Sequence, residues 1–434
     1  MKNGLLRAAA WLLGLACIAP ASAVDVASYI GKSEFGDAIL SPTGEYMAVT
    51  LPLEETTALA IIRLSDKQVT GGGTLGRNRH VHRMWWANDS RLLFTSAQKI
   101  GLLDEPRPTG NMYTLAAGSS SAEILVGQSV NATSGGSRLR GKVTEMVWAD
   151  MIDALPGDDD YVLIAVGGFT DAPITRVERM HVTSGRRLPV TRAPVRNASF
   201  LADHAGEVRV AWGTNRYDAM QTYVRDGVEW HLVNDEATTG VHLRPVGFSS
   251  DNATLYVVAG RVDGPHVIEA YDMASGRRSV VLEDASVSPY RILHDADGVP
   301  AGALFMDGRT RTGFFDPQGP LARHYRNLEG AFPGQTVLIT SMTRDGRQLL
   351  VEVSSDRNPG DYYLFDTVAK KADHLLARRD WVDPERAAAM RPFALKARDG
   401  LDIDGYVTVP VGSDGGNLPM VVMPHGGPYG VFDA

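Results

Sequence analysis

A turn followed by an apolar strand recurs about every 46 residues along this chain, and that period constrains the fold more tightly than any other feature. The turns are marked by Thr43, Asp89, Asp158, Ala205, Asp251, Asp297 and Asp345, with runs such as Tyr46 to Val49, Leu92 to Phe94 and Leu349 to Val351 after them. Between successive members lies a second turn, marked by Asp66, Gly118, Gly185, Gly227, Gly276, Gln318 and Val368. Short alternating or apolar segments on both sides of a turn are the sequence sign of a hairpin. Two hairpins per period make four strands, the content of one propeller blade. Seven periods predict a mainly β chain with a seven-bladed β-propeller over residues 30–380. A β-helix or a pair of sandwiches gives no reason for a four-strand step repeated seven times. The step from Asp89 to Asp158 is longer than the others, which predicts an insertion within Ser129–Asp150.

After the last period the pattern changes. Asp383 as N-cap with Pro384 at the first helical position predicts a short helix, ended by Pro392. Phe393 to Gly400 reads as a strand running into a turn, Asp402 to Val409 as its return, and Pro419 to Pro424 as a third, buried strand. A period-2 hairpin followed by a continuous apolar strand belongs to a different kind of sheet. The boundary falls near Arg391, with residues 24–390 as the propeller. A sheet this small, with open edges, is marginal, so residues 391–434 are expected to be the least protected part of the chain.

At the other end, Lys2 and Arg7 precede an apolar run from Ala8 to Pro20, closed by Ala21, Ser22 and Ala23. That order is the n-region, h-region and small-residue cleavage site of a secretory signal peptide, with cleavage expected after Ala23. The run is too short for a spanning helix. Gly14, Leu15 and Ala16 make a poor lipobox ahead of Cys17. Processing would place the chain in the periplasm or outside the cell. It would also remove Cys17, the only cysteine, so no internal disulfide and no thiolate chemistry are expected. The formal net charge is −8, and loss of Lys2 and Arg7 makes it more negative. That balance disfavours nucleic acid or an anionic membrane as partner.

The chemistry is carried by His425, Gly426, Gly427 and Pro428, which follow the apolar run Pro419 to Pro424. A strand delivering into such a loop is how α/β-hydrolases build half of an oxyanion hole. Cleavage of an acyl bond builds negative charge on the carbonyl oxygen, and fixed backbone N–H groups stabilise it. Glycines let the main chain approach the substrate without a Cβ in the way. A plain Gly-Pro turn after a strand is the bland reading of the same residues. No Gly-x-Ser-x-Gly occurs in the 434 residues. Residues 391–434 therefore read as the first strands of an α/β-hydrolase domain truncated at Ala434, without the nucleophile, acid and base.

Other motifs have bland readings that fit better. Gly71, Gly73 and Gly76 satisfy a Gly-x-Gly-x-x-Gly pattern, but no helix opens after it, so an inter-strand turn is expected and no cofactor. His80 and His82, one strand step apart, would face the same side, yet no third ligand is evident nearby and no metal is expected. Asp158, Asp159 and Asp160 lack the ligand spacing of a calcium loop and read as a solvated hairpin turn. In Trp85-Trp86 and Tyr362-Tyr363, alternation predicts that one member of each pair packs between blades, with a substrate platform as the other option. Charged residues on the strands lining the central channel could bind a peptide terminus, but the sequence leaves the innermost strand unassigned.

A signal peptide, a propeller, the stretch Ala397 to Pro410 and the stretch Leu418 to Pro428 together resemble the prolyl oligopeptidase family, closest to its acylaminoacyl-peptidase and dipeptidyl-aminopeptidase-like bacterial branch. The resemblance implies a serine peptidase that cleaves short peptides through an acyl-enzyme, with the propeller screening substrates by size. It implies that the Gly427 N–H donates to the oxyanion, that Gly426 shapes the turn and that His425 supports the loop. The family's catalytic Ser, Asp and His would follow this motif and have no counterpart here, so the chain alone is expected to be inactive. The alternative is a binding propeller resembling the TolB-type periplasmic interaction proteins.

Overall fold

The computed structural model describes residues 30–101, 105–128 and 145–424. The chain divides into Met1–Lys32 and Ser33–Ala434, and all the strands belong to the second unit. The expected leader and most of the expected insertion lie outside the described residues.

Strands form sequential antiparallel sheets. Blade 1 is β1 (Ala38–Leu40), β2 (Tyr46–Pro52), β3 (Thr57–Arg63) and β4 (Gln68–Gly73). Blade 2 is β5 (His80–Asn88), β6 (Arg91–Gln98), β7 (Arg107–Ala116) and β8 (Glu123–Val126). Blade 3 is β9 (Val147–Asp153), β10 (Tyr161–Gly168), β11 (Arg176–His181) and β12 (Arg187–Arg192). Blade 4 is β13 (Arg196–Ala202), β14 (Val208–Thr214), β15 (Met220–Asp226) and β16 (Glu229–Asp235), followed by the one-turn helix α1 (Glu236–Thr239). Blade 5 is β17 (Leu243–Phe248), β18 (Thr254–Ala259), β19 (Val267–Asp272) and β20 (Arg278–Leu282). Blade 6 has three strands, β21 (Pro289–His294), β22 (Pro300–Met306) and β23 (Thr310–Phe314), then helix α2 (Pro320–Ala331). Blade 7 is β24 (Thr336–Met342), β25 (Gln348–Ser354), β26 (Asp361–Asp366) and β27 (Lys371–Ala377).

Each of the first turn markers falls between the first and second strands of its blade, and the second markers fall between the third and fourth strands in six blades. Blade 6 departs from the expectation. Gln318 does turn the chain, but Pro320 follows it at the first helical position, where its missing N–H costs nothing and its fixed φ favours the helix. Leu321, Ala322, Tyr325 and Leu328 then recur at helical spacing, and α2 buries them between blades 6 and 7. The expected insertion also needs trimming, because Val147 to Asp150 already belong to β9.

Apolar side chains alternate to both faces of each blade and meet the next blade. The described residues form one apolar core at each junction. Those cores link blades 1 and 2, 2 and 3, 3 and 4, 4 and 5, 5 and 6, 6 and 7, and finally 7 and 1. An open row would lack the last of these, so the seven blades close into a ring. Blade 7 uses four consecutive strands of its own, so closure rests on packing and polar contacts with no shared sheet. Leu40, Met47 and Val49 pack on Leu350 and Tyr362, and the Leu40 N–H donates to Ser341 Oγ at 2.8 Å. The Arg378 guanidinium donates to Glu352 at 2.8 Å and to the Tyr362 hydroxyl at 2.8 Å, and that hydroxyl donates to the Gly36 carbonyl at 3.2 Å. Burial works against the Arg378 charge, but Tyr362 and Glu352 outweigh it and hold the group firmly protonated.

First strands of adjacent blades touch one another, as β13 does with β9 and β17, and β1 with β24. In blades 3, 5 and 7 the fourth strands, β12, β20 and β27, are the most exposed. The first strand of each blade is therefore innermost and lines the central channel.

Beyond blade 7, Asp383 caps a single turn, its carboxylate accepting from the Glu385 N–H at 3.0 Å, and no helix follows. Ala387, Ala388 and Ala389 offer no apolar face to bury, so nothing offsets the cost of nucleating a helix. The chain enters β28 (Met390–Lys396), three residues before Phe393, and returns in β29 (Asp402–Thr408). Pro392 sits within β28 and does not end a helix; β28 pairs with β29 alone, and an open edge tolerates a proline. Pro419 to Pro424 form no strand and are not buried: Met420 and Met423 are 84% and 86% exposed. A strand needs a neighbour for its ladder, and none pairs with this run among the described residues.

Candidate functional site

The hairpin β28–β29 docks on the rim of blades 6 and 7 by one face only. Period-2 alternation puts Met390, Pro392 and Tyr406 on that face. The Tyr406 hydroxyl donates to the Gly308 carbonyl at 3.1 Å, and the Met390 N–H donates to an Asp356 carboxylate oxygen at 2.6 Å. Gly308 turns the chain from β22 to β23 at φ 67°, and a Cβ there would meet Pro392 at 3.1 Å. Glycine thus serves both the turn and the close approach.

Between hairpin and rim lies a cleft of about 390 Å³. Its walls include Tyr290, Arg309, Glu329, Gln335, Ser354 and Asp356. Glu329 is held by the Thr312 hydroxyl at 3.0 Å, and Gln335 by the Asn358 amide at 2.9 Å. Among the described residues no histidine borders the cleft, and its two carboxylates, Glu329 and Asp356, already accept from the Thr312 hydroxyl and the Met390 N–H. The arrangement can hold a polar chain.

The opposite face of the hairpin carries Phe393 and Leu395 on β28 with Ile403 and Val407 on β29, all exposed. Val421 and Val422, in the run that leads from β29 toward His425, are also exposed. His425, Gly426 and Gly427 themselves lie outside the described residues.

The remaining motifs resolve as structure, some differently from expectation. Gly71 to Gly73 are the end of β4 and not a turn. A Cβ on Gly71 would strike the Ala117 and Ser119 carbonyls at 2.6 Å, so these glycines let blade 1 approach blade 2. His80 and His82 do not share a side, because a register shift between Val81 and Arg83 breaks the alternation. His80 is buried against the Thr57 hydroxyl at 3.1 Å, while His82 is exposed. Desolvation, then the Arg83 charge, press the His82 imidazole below its ordinary value. Among the described residues no group of three His, Cys, Asp or Glu side chains could hold a metal ion. Asp158 accepts from the Asp160 and Tyr161 N–H groups in the β9–β10 turn and pairs with Arg179.

Both members of each aromatic pair pack between blades, on opposite faces. Trp86 joins the core shared with blade 1, its indole donating to the Ile39 carbonyl at 3.3 Å, and Trp85 packs on the core shared with blade 3. Tyr362 faces blade 1 and Tyr363 faces blade 6. Neither pair is a substrate platform.

Two features escaped sequence reasoning. Glu145, Arg176, Glu178 and Arg187 close a square of ion pairs between 2.7 and 3.1 Å on blade 3. The innermost strands carry Arg83, Arg196, Arg244 and Arg291, and among the described residues only Arg83 has an ionic partner, Asp150 at 2.6 Å. The strand order within a blade was the signal needed to find the second set.

No protein-family model matches the sequence. Dipeptidyl aminopeptidase BIII of Pseudoxanthomonas mexicana is 26% identical over 270 residues, which cover 60% of this chain and 39% of that protein. Among solved structures, prolyl oligopeptidase B from Galerina marginata superposes with a TM-score of 0.57 at 10% identity, over 87% of this chain and 56% of the other. Puromycin hydrolase superposes with a TM-score of 0.53 at 14% identity, over 88% of this chain and 59% of the other. The chain thus spans well under two thirds of the length of the relatives it matches. At these identities the structural likeness speaks for the fold.

Proposed function

We propose that this chain, a relative of the prolyl oligopeptidase family by sequence and by propeller, is the N-terminal portion of a secreted serine peptidase acting on short peptides. The observation that carries the reading is the two-faced hairpin. One face is fixed to blades 6 and 7, and the other holds Phe393, Leu395, Ile403 and Val407 exposed beside the apolar run that leads to His425. An exposed apolar sheet face of this kind calls for a further layer. In this reading the layer is an α/β-hydrolase domain over residues 391–434 and beyond. Gly427 supplies an oxyanion donor, Gly426 shapes its turn, His425 supports the loop, and the nucleophile, acid and base come from outside these residues.

The propeller would admit peptides through its channel and cleft and exclude folded proteins, with no cofactor required. The leader up to Ala23 would direct the chain to the periplasm or the exterior. Because the sequence holds no Gly-x-Ser-x-Gly, the purified 434-residue chain is expected to give no turnover of peptide p-nitroanilides. Turnover that Gly427→Pro abolishes would contradict this reading.

A further inference from the structure

Three consecutive blades each place an arginine on the innermost strand. Arg196 opens β13, Arg244 is the second residue of β17, and Arg291 the third of β21. All three lie toward the starts of their strands, the rim on which the hairpin docks. All three are exposed, and none of the three strands carries an aspartate or glutamate. Among the described residues their guanidinium groups have no hydrogen-bond or ion-pair partner. Other arginines of the ring do meet a carboxylate, as Arg83 does with Asp150, Arg209 with Asp203, Arg278 with Glu269 and Arg378 with Glu352.

The chain as a whole carries −8, so an arc of unmatched cations inside it runs against the overall charge. Channel walls of low dielectric focus such a field more strongly than an open surface does. The protein around Arg244 desolvates its guanidinium in part and presses the charge below the ordinary arginine value, with no carboxylate to restore it. Inner strands of blades 5 and 6 are tied by His294 Nε2 to the Val246 carbonyl at 3.1 Å, which fixes the spacing between Arg244 and Arg291. At the blade 4 end, a cleft of about 430 Å³ opens beside Arg196. Arg216, Asn215, Thr214 and Gln221 share its lining, and no carboxylate does.

We propose that Arg196, Arg244 and Arg291 form a carboxylate-binding arc that captures the free C-terminus of a peptide at the channel wall. This rests on the reading that the protein handles peptides. A guanidinium donates two parallel hydrogen bonds to a carboxylate, which an ammonium cannot do, so arginine suits this task better than lysine.

The test is fluorescence anisotropy on the 434-residue chain with a short alanine-glycine peptide carrying an uncharged dye at its N-terminus. The free acid is expected to bind at least about tenfold more tightly than the C-terminal amide, the preference expected of hydrogen bonds to a charged group. An amidated peptide with an internal glutamate separates a terminal from a side-chain carboxylate; binding as tight as the free acid would overturn the terminal assignment. Arg244→Met with Arg291→Met should erase the preference, the paired lysine variant should keep part of it, and Arg186→Met on an outer turn should leave it unchanged. Unaltered thermal melting would confirm that the variants fold. Equal binding of acid and amide overturns the arc and leaves peptide handling standing. No binding of any peptide also overturns the arc, while p-nitroanilide cleavage by the longer protein judges the peptidase reading separately.

Discussion

At the residue scale, the ion-pair square on blade 3 is the most consequential polar feature. Glu178 is 10% exposed at its side chain and accepts from both Arg176 and Arg187, while Glu145 bridges the same two cations. Burial opposes the Glu145 charge, but Arg187 and then Arg176 outweigh it and hold its carboxyl below the usual glutamate range. A carboxyl lowered by folding adds stability above its unfolded value and loses that stability as pH falls through the lowered value. Removing Arg187 leaves both carboxylates short of a partner. Arg187→Met is expected to cost roughly 2 kcal/mol at pH 7, less than the loss from a fully buried pair because Glu145 is partly in water. The deficit should shrink toward pH 3, as protonation of Glu145 weakens the wild-type square. Urea unfolding at the two pH values checks this; a deficit that does not change with pH would remove Glu145 from the account. Nothing in the sequence pointed to the square, because its four members are spread over a loop and two strands.

At the element scale, helix α2 shows how one blade abandons the common pattern. Its Tyr325 is buried, and its hydroxyl accepts the Ile339 N–H at 3.1 Å where a register shift between Ile339 and Ser341 interrupts the β24–β25 ladder. Burial pushes the phenol well above its ordinary value, so it stays neutral. Tyr325→Phe keeps the ring and strands that N–H, with an expected loss of about 1–3 kcal/mol. A midpoint shift in urea below the equivalent of about 0.5 kcal/mol would mean that water or relaxation replaces the bond. The turn preceding α2 was legible at Gln318, but its helical sequel was not, since the repeat itself argued for a fourth strand. The tail shows the converse. Asp383 and Pro384 are sound start signals for a helix, yet Ala387 to Ala389 give it nothing to bury. The strand expected at Pro419 to Pro424 has the right composition, but composition cannot supply the neighbour that a ladder requires.

At the scale of the whole molecule, the ring was the most legible feature, because turn chemistry at Thr43, Asp89, Asp251 or Asp345 is local and repeats. Which strand is innermost was not legible, because that depends on contacts between blades. The channel arginines therefore became visible only in the structure. Seven junction cores close the ring, and the last one is reinforced by Arg378, Glu352 and Tyr362. Above this ring the hairpin offers one docked and one open face, and the peptidase reading stands on what covers the open one. The most direct measurement is labelling of the protein in its native source with a fluorophosphonate probe, followed by peptide mapping. The account predicts one covalently modified serine in the same polypeptide as this propeller, at a position outside residues 1–434. A native protein that carries this propeller and takes no label under conditions that modify a known serine peptidase would contradict it.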